Sequence, residues 1–204
     1  MKKRILFLLD ASGSMDHIKN DAIGGFNAWK RAMELVENDI RITLATFDEK
    51  PPRIIYDDIP VRKVPDLTLN EYIIGGSTAL YDAIGSVIDH TEKRMGKNDT
   101  ALIVILTDGE ENVSRHYNSA QIRKLIQDRE ARGWAFSYIS AGLDAFANSA
   151  AVGIGKNDTV QFQTNTKGME KAYSAVTHAS MSYVSGERED QATWSTILES
   201  KTTP

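Results

Sequence analysis

The sequence predicts an α/β fold: a doubly wound, mostly parallel sheet with helices on both of its faces. Two short segments, residues 5–9 and 101–106, are apolar throughout, which is typical of strands that are buried on both sides. Amphipathic segments with helical spacing alternate with the strands, as they do around a parallel sheet. We expect the common strand order 3-2-1-4-5-6, with one antiparallel strand at the edge.

The first half of the chain contains three predicted strands and one helix. Apolar residues that recur at steps of four and three predict the helix: Ile18, Ala22, Phe26, Trp29, Met33 and Val36. Ile40–Phe47 alternates between apolar and polar residues, as a strand does, and Pro51 and Pro52 end it. Residues 54–56 then begin the antiparallel edge strand. Residues 60–74 hold two prolines and few periodic apolar positions, so we expect a surface connection there.

The second half continues the alternation of helices and strands. Residues 75–78, Gly-Gly-Ser-Thr, open a helix whose inner face holds Leu80, Ile84, Val87 and Ile88. Thr100–Thr107, the most hydrophobic strand of the chain, follows that helix. The remaining predicted elements are a helix near 119–132, a strand at 134–140, a short helix near Ala145–Ala151, a strand at 159–162 and a helix at about 167–184.

Length, charge and composition limit the possible functions. A chain of this length suits one domain, which we place at residues 1–185, and the polar residues 186–204 are predicted to form a flexible tail. Trp194, Ile197 and Leu198 in the tail have helical spacing, so a short docking helix is the alternative. The net charge of −4 without a basic stripe argues against nucleic-acid binding. The absence of cysteine excludes disulfides and thiolate metal sites and agrees with a cytoplasmic location.

No segment of the sequence indicates secretion or membrane insertion. Lys2, Lys3 and Arg4 precede the apolar residues 5–9 as in a signal peptide, but the apolar part is shorter than the usual run of roughly 7–15 residues. It also leads into Asp10 without a small-residue cleavage site. No other apolar run approaches the roughly 18 residues of a membrane-spanning helix. We therefore expect a cytoplasmic protein that does not bind membranes.

Oxygen-bearing side chains follow the predicted strands at the edge where a ligand would bind. Asp10 ends the first strand and is followed by Ser12 and Ser14, whereas Asp108 ends the strand Thr100–Thr107. In doubly wound sheets, ligands bind outside the carboxyl ends of the strands, where the strand order reverses. Thr78, at the head of a helix, can reach the same crevice. Carboxylate and hydroxyl oxygens are ligands for hard divalent cations, so the sequence predicts a cation of the magnesium class here.

These residues form a motif of three parts, in chain order: Asp10-x-Ser12-x-Ser14, Thr78 within Gly-Gly-Ser-Thr, and Thr107-Asp108-Gly109. The motif resembles the metal-ion-dependent adhesion site of the von Willebrand factor type A domain, and the resemblance covers about residues 3–184. It implies a Rossmann-like fold and a bound Mg²⁺ or Mn²⁺ ion, with Ca²⁺ less suited. The implied direct ligands are Ser12, Ser14 and Thr78, with Asp10 and Asp108 often acting through waters.

The resemblance also implies a function in protein–protein interaction. Neutral hydroxyl ligands leave the ion most of its charge, so an open coordination position accepts a carboxylate from a partner protein. Intracellular members of this family often work beside ATPases, chelatases, or stress-response and phage-related assemblies. We therefore expect a metal-dependent interaction module whose partner is a protein, such as an ATPase or another assembly component.

Two other functions compete with this interpretation. A magnesium-dependent phosphohydrolase would place a second acid two residues after its nucleophilic aspartate, where this chain has Ser12. Neither a GxSxG elbow nor a GxxxxGK[ST] phosphate loop occurs, so we predict that the protein is not an enzyme. A purely structural metal is the other alternative, and it predicts a large loss of stability without the ion.

Several charged residues near the motif have simpler interpretations. We interpret Asp82 as a complement to a helix N-terminus, Asp48 as a solvated turn residue and His17 as a surface histidine. Glu110 and Glu111 are expected to be exposed beside Asp108. Their charges would oppose the docking of an acidic partner.

Overall fold

The computed structural model describes residues 2–36, 38–96, 99–141 and 144–186. The strands are β1 Lys3–Asp10, β2 Ile40–Phe47, β3 Arg53–Pro60, β4 Thr100–Thr107, β5 Ala135–Ser140 and β6 Thr159–Gln161. The helices are α1 Lys19–Glu34, α2 Leu80–Glu92, α3 Ser119–Glu130, α4 Ala145–Ala151 and α5 Thr166–Ser185. Short 3₁₀ turns occupy Gly13–Ile18, Val61–Lys63 and Lys156–Asp158. None of the described helices is long and apolar enough to cross a membrane.

The six strands form one sheet in the order β3-β2-β1-β4-β5-β6. β3 pairs antiparallel with β2, whereas the other neighbours are parallel. Leu9 of β1 pairs with Thr46 of β2 and with Leu106 of β4, so these three strands end at the same edge of the sheet. The predicted fold class, strand order and antiparallel edge strand are confirmed.

Both faces of the sheet are covered by helices, which explains the unbroken apolar runs of the central strands. On one face, Ile5, Phe7 and Leu9 lie in a core that also contains the inner sides of α1 and α5. On the other face, Leu6 and Leu8 lie in a core with α2 and α3. Because successive strand residues point to opposite faces, a strand between two cores is apolar at every position.

The connection between β3 and α2 is largely exposed, in agreement with the predicted surface connection over residues 60–74, but four of its apolar side chains are buried in the core. Val61, Val64, Leu67 and Tyr72 are at most 3% exposed. Asn27 of α1 holds this segment, since its Nδ2 donates to the carbonyl of Leu67 at 2.9 Å and its Oδ1 accepts the Leu67 N–H at 2.8 Å. Val61, Val64 and Leu67 recur at steps of three and Tyr72 follows after a step of five, which matches neither the strand period of two nor the helical pattern of threes and fours, so the spacing did not indicate their burial.

The last described helix, α5, ends at Ser185. Gly186 follows α5 with a left-handed φ of 76°, which favours glycine at a helix C-terminus. The predicted tail, with Trp194, Ile197 and Leu198, lies beyond residue 186 and outside the described residues. The choice between a flexible tail and a docking helix therefore stays a prediction.

Candidate metal centre

Asp10 lies at the carboxyl end of β1 and is fully buried. Its Oδ1 accepts the backbone N–H of Ser12 at 2.7 Å, and its Oδ2 accepts the hydroxyl of Thr107 at 2.5 Å. Thr107 is the last residue of β4, so this hydrogen bond joins the two neighbouring strands at their ends. Sequence reasoning assigned no role to Thr107, although its place directly before Asp108 in the motif could have indicated one.

Two serines connect β1 to Asp108 through their hydroxyls. Ser12 Oγ and Ser14 Oγ share a hydrogen bond of 3.1 Å, and Ser14 Oγ donates to Asp108 Oδ1 at 2.6 Å. Ser12 is buried, Ser14 is exposed and Asp108 is half-buried. Because the proton of Ser14 is directed at Asp108, Ser12 is the donor to Ser14, and one lone pair of Ser14 Oγ remains available to a cation.

Thr78 reaches the same place through a loop that is docked on the strand ends. The N–H of Gly75 donates to the carbonyl of Ala11 at 2.8 Å, and the carbonyl of Gly76 accepts the N–H of Gly13 at 3.0 Å. Gly76 has a left-handed φ of 75°, which only glycine adopts easily. The loop places Thr78 two residues before α2, where it is 3% exposed.

Three of the candidate oxygens converge above Gly109. A Cβ atom placed on Gly109 would lie 3.0 Å from Thr78 Oγ1, 3.8 Å from Asp10 Oδ2 and 3.9 Å from Ser14 Oγ. Because Gly109 has no side chain, it leaves a small cradle that is faced by oxygens from two separate segments, residues 10–14 and Thr78. The structure thus brings together all five predicted site residues: Asp10, Ser12, Ser14, Thr78 and Asp108.

The cluster concentrates negative charge in a buried position. The pKa of Asp10 is raised to about 6, mainly by burial and in smaller part by the nearby charge of Asp108. The hydrogen bonds from Thr107 and Ser12 act in the opposite direction. Burial also raises the pKa of Asp108, although Ser14 and His17 act in the opposite direction. A bound divalent cation would favour the ionised carboxylates, because its charge offsets both the desolvation and the mutual repulsion.

The donor set fits a small, hard cation. It consists of carboxylate and hydroxyl oxygens, which suit Mg²⁺ and Mn²⁺ and would not hold a soft metal. In the described part of the chain, no group of three or more His, Asp or Glu side chains is placed to hold a metal. A cation at this edge of the sheet would therefore depend on the hydroxyl groups of Ser12, Ser14 and Thr78.

Two residues outside the motif support the site directly. Tyr72 is 1% exposed, and its hydroxyl donates to the carbonyl of Asp10. Asn112, in the β4–α3 loop, accepts the N–H of Thr78 on its Oδ1 at 3.0 Å. Neither residue carries a periodic or motif signal in the sequence, because each acts on the backbone of a loop.

The charged residues near the motif differ in part from their predicted roles. Glu110 and His17 are exposed, as expected. Glu111 is half-buried, and its carboxylate accepts the N–H groups of Ser114 at 2.6 Å and Tyr81 at 3.0 Å, so the expectation of a freely exposed charge is wrong. Asp82 accepts backbone N–H groups of residues 115–117 at 2.8–2.9 Å, so it fixes the β4–α3 loop.

An open groove of about 660 Å³ begins beside the cluster. It lies between the β2–β3 turn and the β4–α3 loop, with the first turns of α2 at its base. Ala79, the neighbour of Thr78, lines one part of it. None of the five candidate site residues lines the groove, but Ala79 follows Thr78 directly, so the groove lies next to the candidate site.

Comparison with known proteins gives one family and several solved structures. The family model described as von Willebrand factor type A domain matches residues 5–184. No curated protein sequence matches the chain.

The solved structures that are similar to the chain share its fold at low identity. A point mutant of the PilB minor pilin from Streptococcus sanguinis has a TM-score of 0.63 at 13% identity, over 90% of this chain and 62% of that one. A von Willebrand factor type A protein from Catenulispora acidiphila has a TM-score of 0.63 at 14% identity, over 88% and 43%. Proximal thread matrix protein 1 from the mussel byssus has a TM-score of 0.60 at 14% identity, over 88% and 46%. The chain thus spans less than two thirds of the length of each.

Proposed function

We infer, since the chain belongs to the von Willebrand factor type A domain family, that it is a protein-interaction module, as domains of this family generally are. We propose further that Ser12, Ser14 and Thr78, together with Asp10 and Asp108, bind Mg²⁺ or Mn²⁺ at the carboxyl ends of β1 and β4. When bound, the ion would supply an electrophilic centre for a carboxylate of the partner protein.

The single observation that carries this proposal is the cradle above Gly109. Oxygens of Asp10, Ser14 and Thr78 surround a space that one Cβ atom would fill. A polar side chain that merely capped a helix or a strand would not need oxygens from two segments more than sixty residues apart, residues 10–14 and Thr78, to face one point on a third, Gly109. The neutral hydroxyls favour partner binding, because fewer direct carboxylates leave the cation more of its charge.

We propose that the partner protein approaches the site along the neighbouring groove. The groove beside Thr78 offers a partner segment space to extend from the site. An ATPase or another assembly component, as the family resemblance implies, is the partner class that we propose. The cytoplasmic location and the absence of enzymatic activity stay predictions of the sequence.

Substituting Gly109 tests the proposal without removing any ligand. Gly109→Ala places a methyl group 3.0 Å from Thr78 Oγ1, in the space of the cradle, and Gly109 is not among the glycines with positive φ. We expect the Kd for Mn²⁺, measured by isothermal titration calorimetry on the full chain, to rise about tenfold or more. Retention of partner proteins from a native lysate in the presence of Mg²⁺ should fall in parallel, as it should in EDTA.

Gly75→Ala is the matched control. Gly75 lies in the loop that carries Thr78, it has no positive φ, and nothing lies within 4 Å of an added Cβ. Its variant should keep the Kd of the natural chain. Equal Mn²⁺ affinity in the natural chain and in Gly109→Ala would contradict the proposed site, and retention of the same partners in EDTA would contradict the metal bridge.

A further inference from the structure

Thr78 lies outside regular secondary structure, yet its backbone is held at both polar atoms by one residue. The N–H of Thr78 donates to Asn112 Oδ1 at 3.0 Å, and the carbonyl of Thr78 accepts the N–H of Asn112 at 3.1 Å. The next residue, Ala79, donates its N–H to the carbonyl of Asp48 at 3.1 Å. Thr78 is thereby linked to the loop that follows β4 and, through Ala79, to the residue that follows β2.

Asn112 is in turn held by a loop that two carboxylates fasten to α2. Glu111 accepts the N–H of Tyr81 at 3.0 Å and the N–H of Ser114 at 2.6 Å. Asp82 accepts the N–H groups of residues 115–117, and its own N–H donates to Ser114 Oγ at 3.1 Å. The loop that carries Asn112 and the helix that follows Thr78 therefore form one hydrogen-bonded unit.

We propose that Asn112 is a positioning residue that makes the site discriminate between small and large divalent cations. This inference rests on the proposed metal site. Mg²⁺ requires oxygens at about 2.0–2.1 Å in near-ideal octahedral geometry, whereas Ca²⁺ accepts flexible ligands at about 2.3–2.6 Å. By fixing both backbone polar atoms of Thr78, Asn112 holds Oγ1 close to the cradle and prevents the site from expanding.

Asn112→Ala tests this role separately from the stability of the fold. Asn112 is exposed, and the substitution removes only the hydrogen bond that its side-chain oxygen accepts from the N–H of Thr78. On the full chain, we expect calorimetry to show a Kd for Mn²⁺ that rises about tenfold. The Kd for Ca²⁺ should rise less than about threefold, because a less firmly held Thr78 can still coordinate a larger ion with longer ligand distances. Asn112→Asp keeps the acceptor oxygen and should restore the ratio of the two constants, even if its charge tightens both.

Asn118→Ala is the matched control within the same loop. The side chain of Asn118 accepts the N–H of Gln121 and caps α3, so its loss lowers stability without touching Thr78. Both cation constants should stay within about twofold of those of the natural chain. Thermal unfolding of each variant without metal records the general loss of stability, and Asn112→Leu serves as a second variant without the acceptor should Asn112→Ala fail to fold.

The outcomes distinguish the two proposals. A natural chain that binds neither cation overturns the proposed function and this inference with it. A natural chain that binds Mn²⁺ while the variants without the acceptor keep the same ratio of constants overturns only the role of Asn112. A ratio that changes equally in Asn118→Ala also overturns it, whereas a change confined to those Asn112 variants and reversed in Asn112→Asp supports it.

Discussion

At the scale of single residues, carboxylates connect segments that are far apart in the sequence. Asp10 joins β1 to β4 through Thr107, 97 residues away, and Asp82 joins α2 to the β4–α3 loop, 33–35 residues away. Each carboxylate has both oxygens occupied by donors of the chain itself. Short acidic side chains thus replace regular secondary structure where the loops of the candidate site meet.

Asp82 should make the stability of the protein depend on acid. Partial burial raises its pKa, but the backbone N–H donors of residues 115–117 outweigh that effect and leave the pKa below its usual value. A lowered pKa in the folded state means that the contribution is fully present above the unfolded pKa of about 3.9 and is lost as the pH falls through the folded value. Asp82→Asn should lower the free energy of unfolding by about 1–2 kcal/mol at neutral pH.

Urea denaturation at a series of pH values measures this contribution. The difference between the natural chain and Asp82→Asn should narrow below about pH 4, because the natural carboxylate then becomes protonated. Asp128→Asn is the control, since the Asp128 carboxylate pairs with the exposed Lys124 and not with a loop backbone. A difference that stays constant with pH would show that the ionised carboxylate is not what holds the loop.

At the scale of the elements, α1 and α5 pack closely at one glycine. A Cβ atom on Gly25 would lie 2.0 Å from Cδ2 and 2.2 Å from Cε2 of Tyr173. The Tyr173 ring has little freedom to move, because its hydroxyl donates to the carbonyl of Ala22 at 2.8 Å and its ring stacks on Phe7. Gly25 therefore sets how closely α5 approaches α1 and the sheet below.

The adjacent glycines of α1 provide a matched pair of substitutions. Gly25→Ala should lower the free energy of unfolding by about 1–3 kcal/mol, since the added methyl group overpacks the helix contact. Gly24→Ala should raise it by about 0.5–1 kcal/mol, because Gly24 is exposed, nothing lies within 4 Å of an added Cβ, and alanine favours a helix. Chemical denaturation measures both, and similar effects of the two variants would contradict the packing argument.

At the scale of the whole molecule, the candidate site lies at the edge of two cores that do not depend on it. Large apolar side chains fill the space on both faces of the sheet, among them Phe7, Trp29, Ile84 and Ile105. The site adds hydrogen bonds between loops at the ends of the strands. This separation favours a binding role for the proposed ion over a structural one.

Removal of the metal should therefore leave the fold intact. In EDTA, circular dichroism should show the helices and the cooperative unfolding of the native chain. At a Mg²⁺ concentration about 100 times its Kd, binding should add about 2.7 kcal/mol of stability, which raises the Tm by roughly 5–10 °C for a chain of this length. Loss of the folded signal in EDTA would instead support the structural-metal alternative.

The sequence predicted most of the fold, because strands between two cores and amphipathic helices leave local patterns. The buried faces of α1 and α2 agree with the periodicity, and the predicted bounds of α3, β5 and β6 differ from those of the structure by one or two residues. The burial of Val61, Val64, Leu67 and Tyr72 within the surface connection 60–74 was not predicted, since their spacing matches neither a helix nor a strand. A pattern reports burial only where the backbone repeats.

By itself, the sequence determined the six strands, their expected order in a doubly wound sheet, and the five oxygen-bearing residues that the structure brings together. Their side chains follow strand ends or precede a helix, positions that local patterning and sheet topology define. Only the tertiary structure decided what holds them: the hydroxyls of Thr107 and Tyr72, the amide of Asn112, and the carboxylates of Asp82 and Glu111. These side chains form hydrogen bonds with groups that are distant in the chain. The course of the loops brings the partners into contact, and that course cannot be predicted from local sequence patterns.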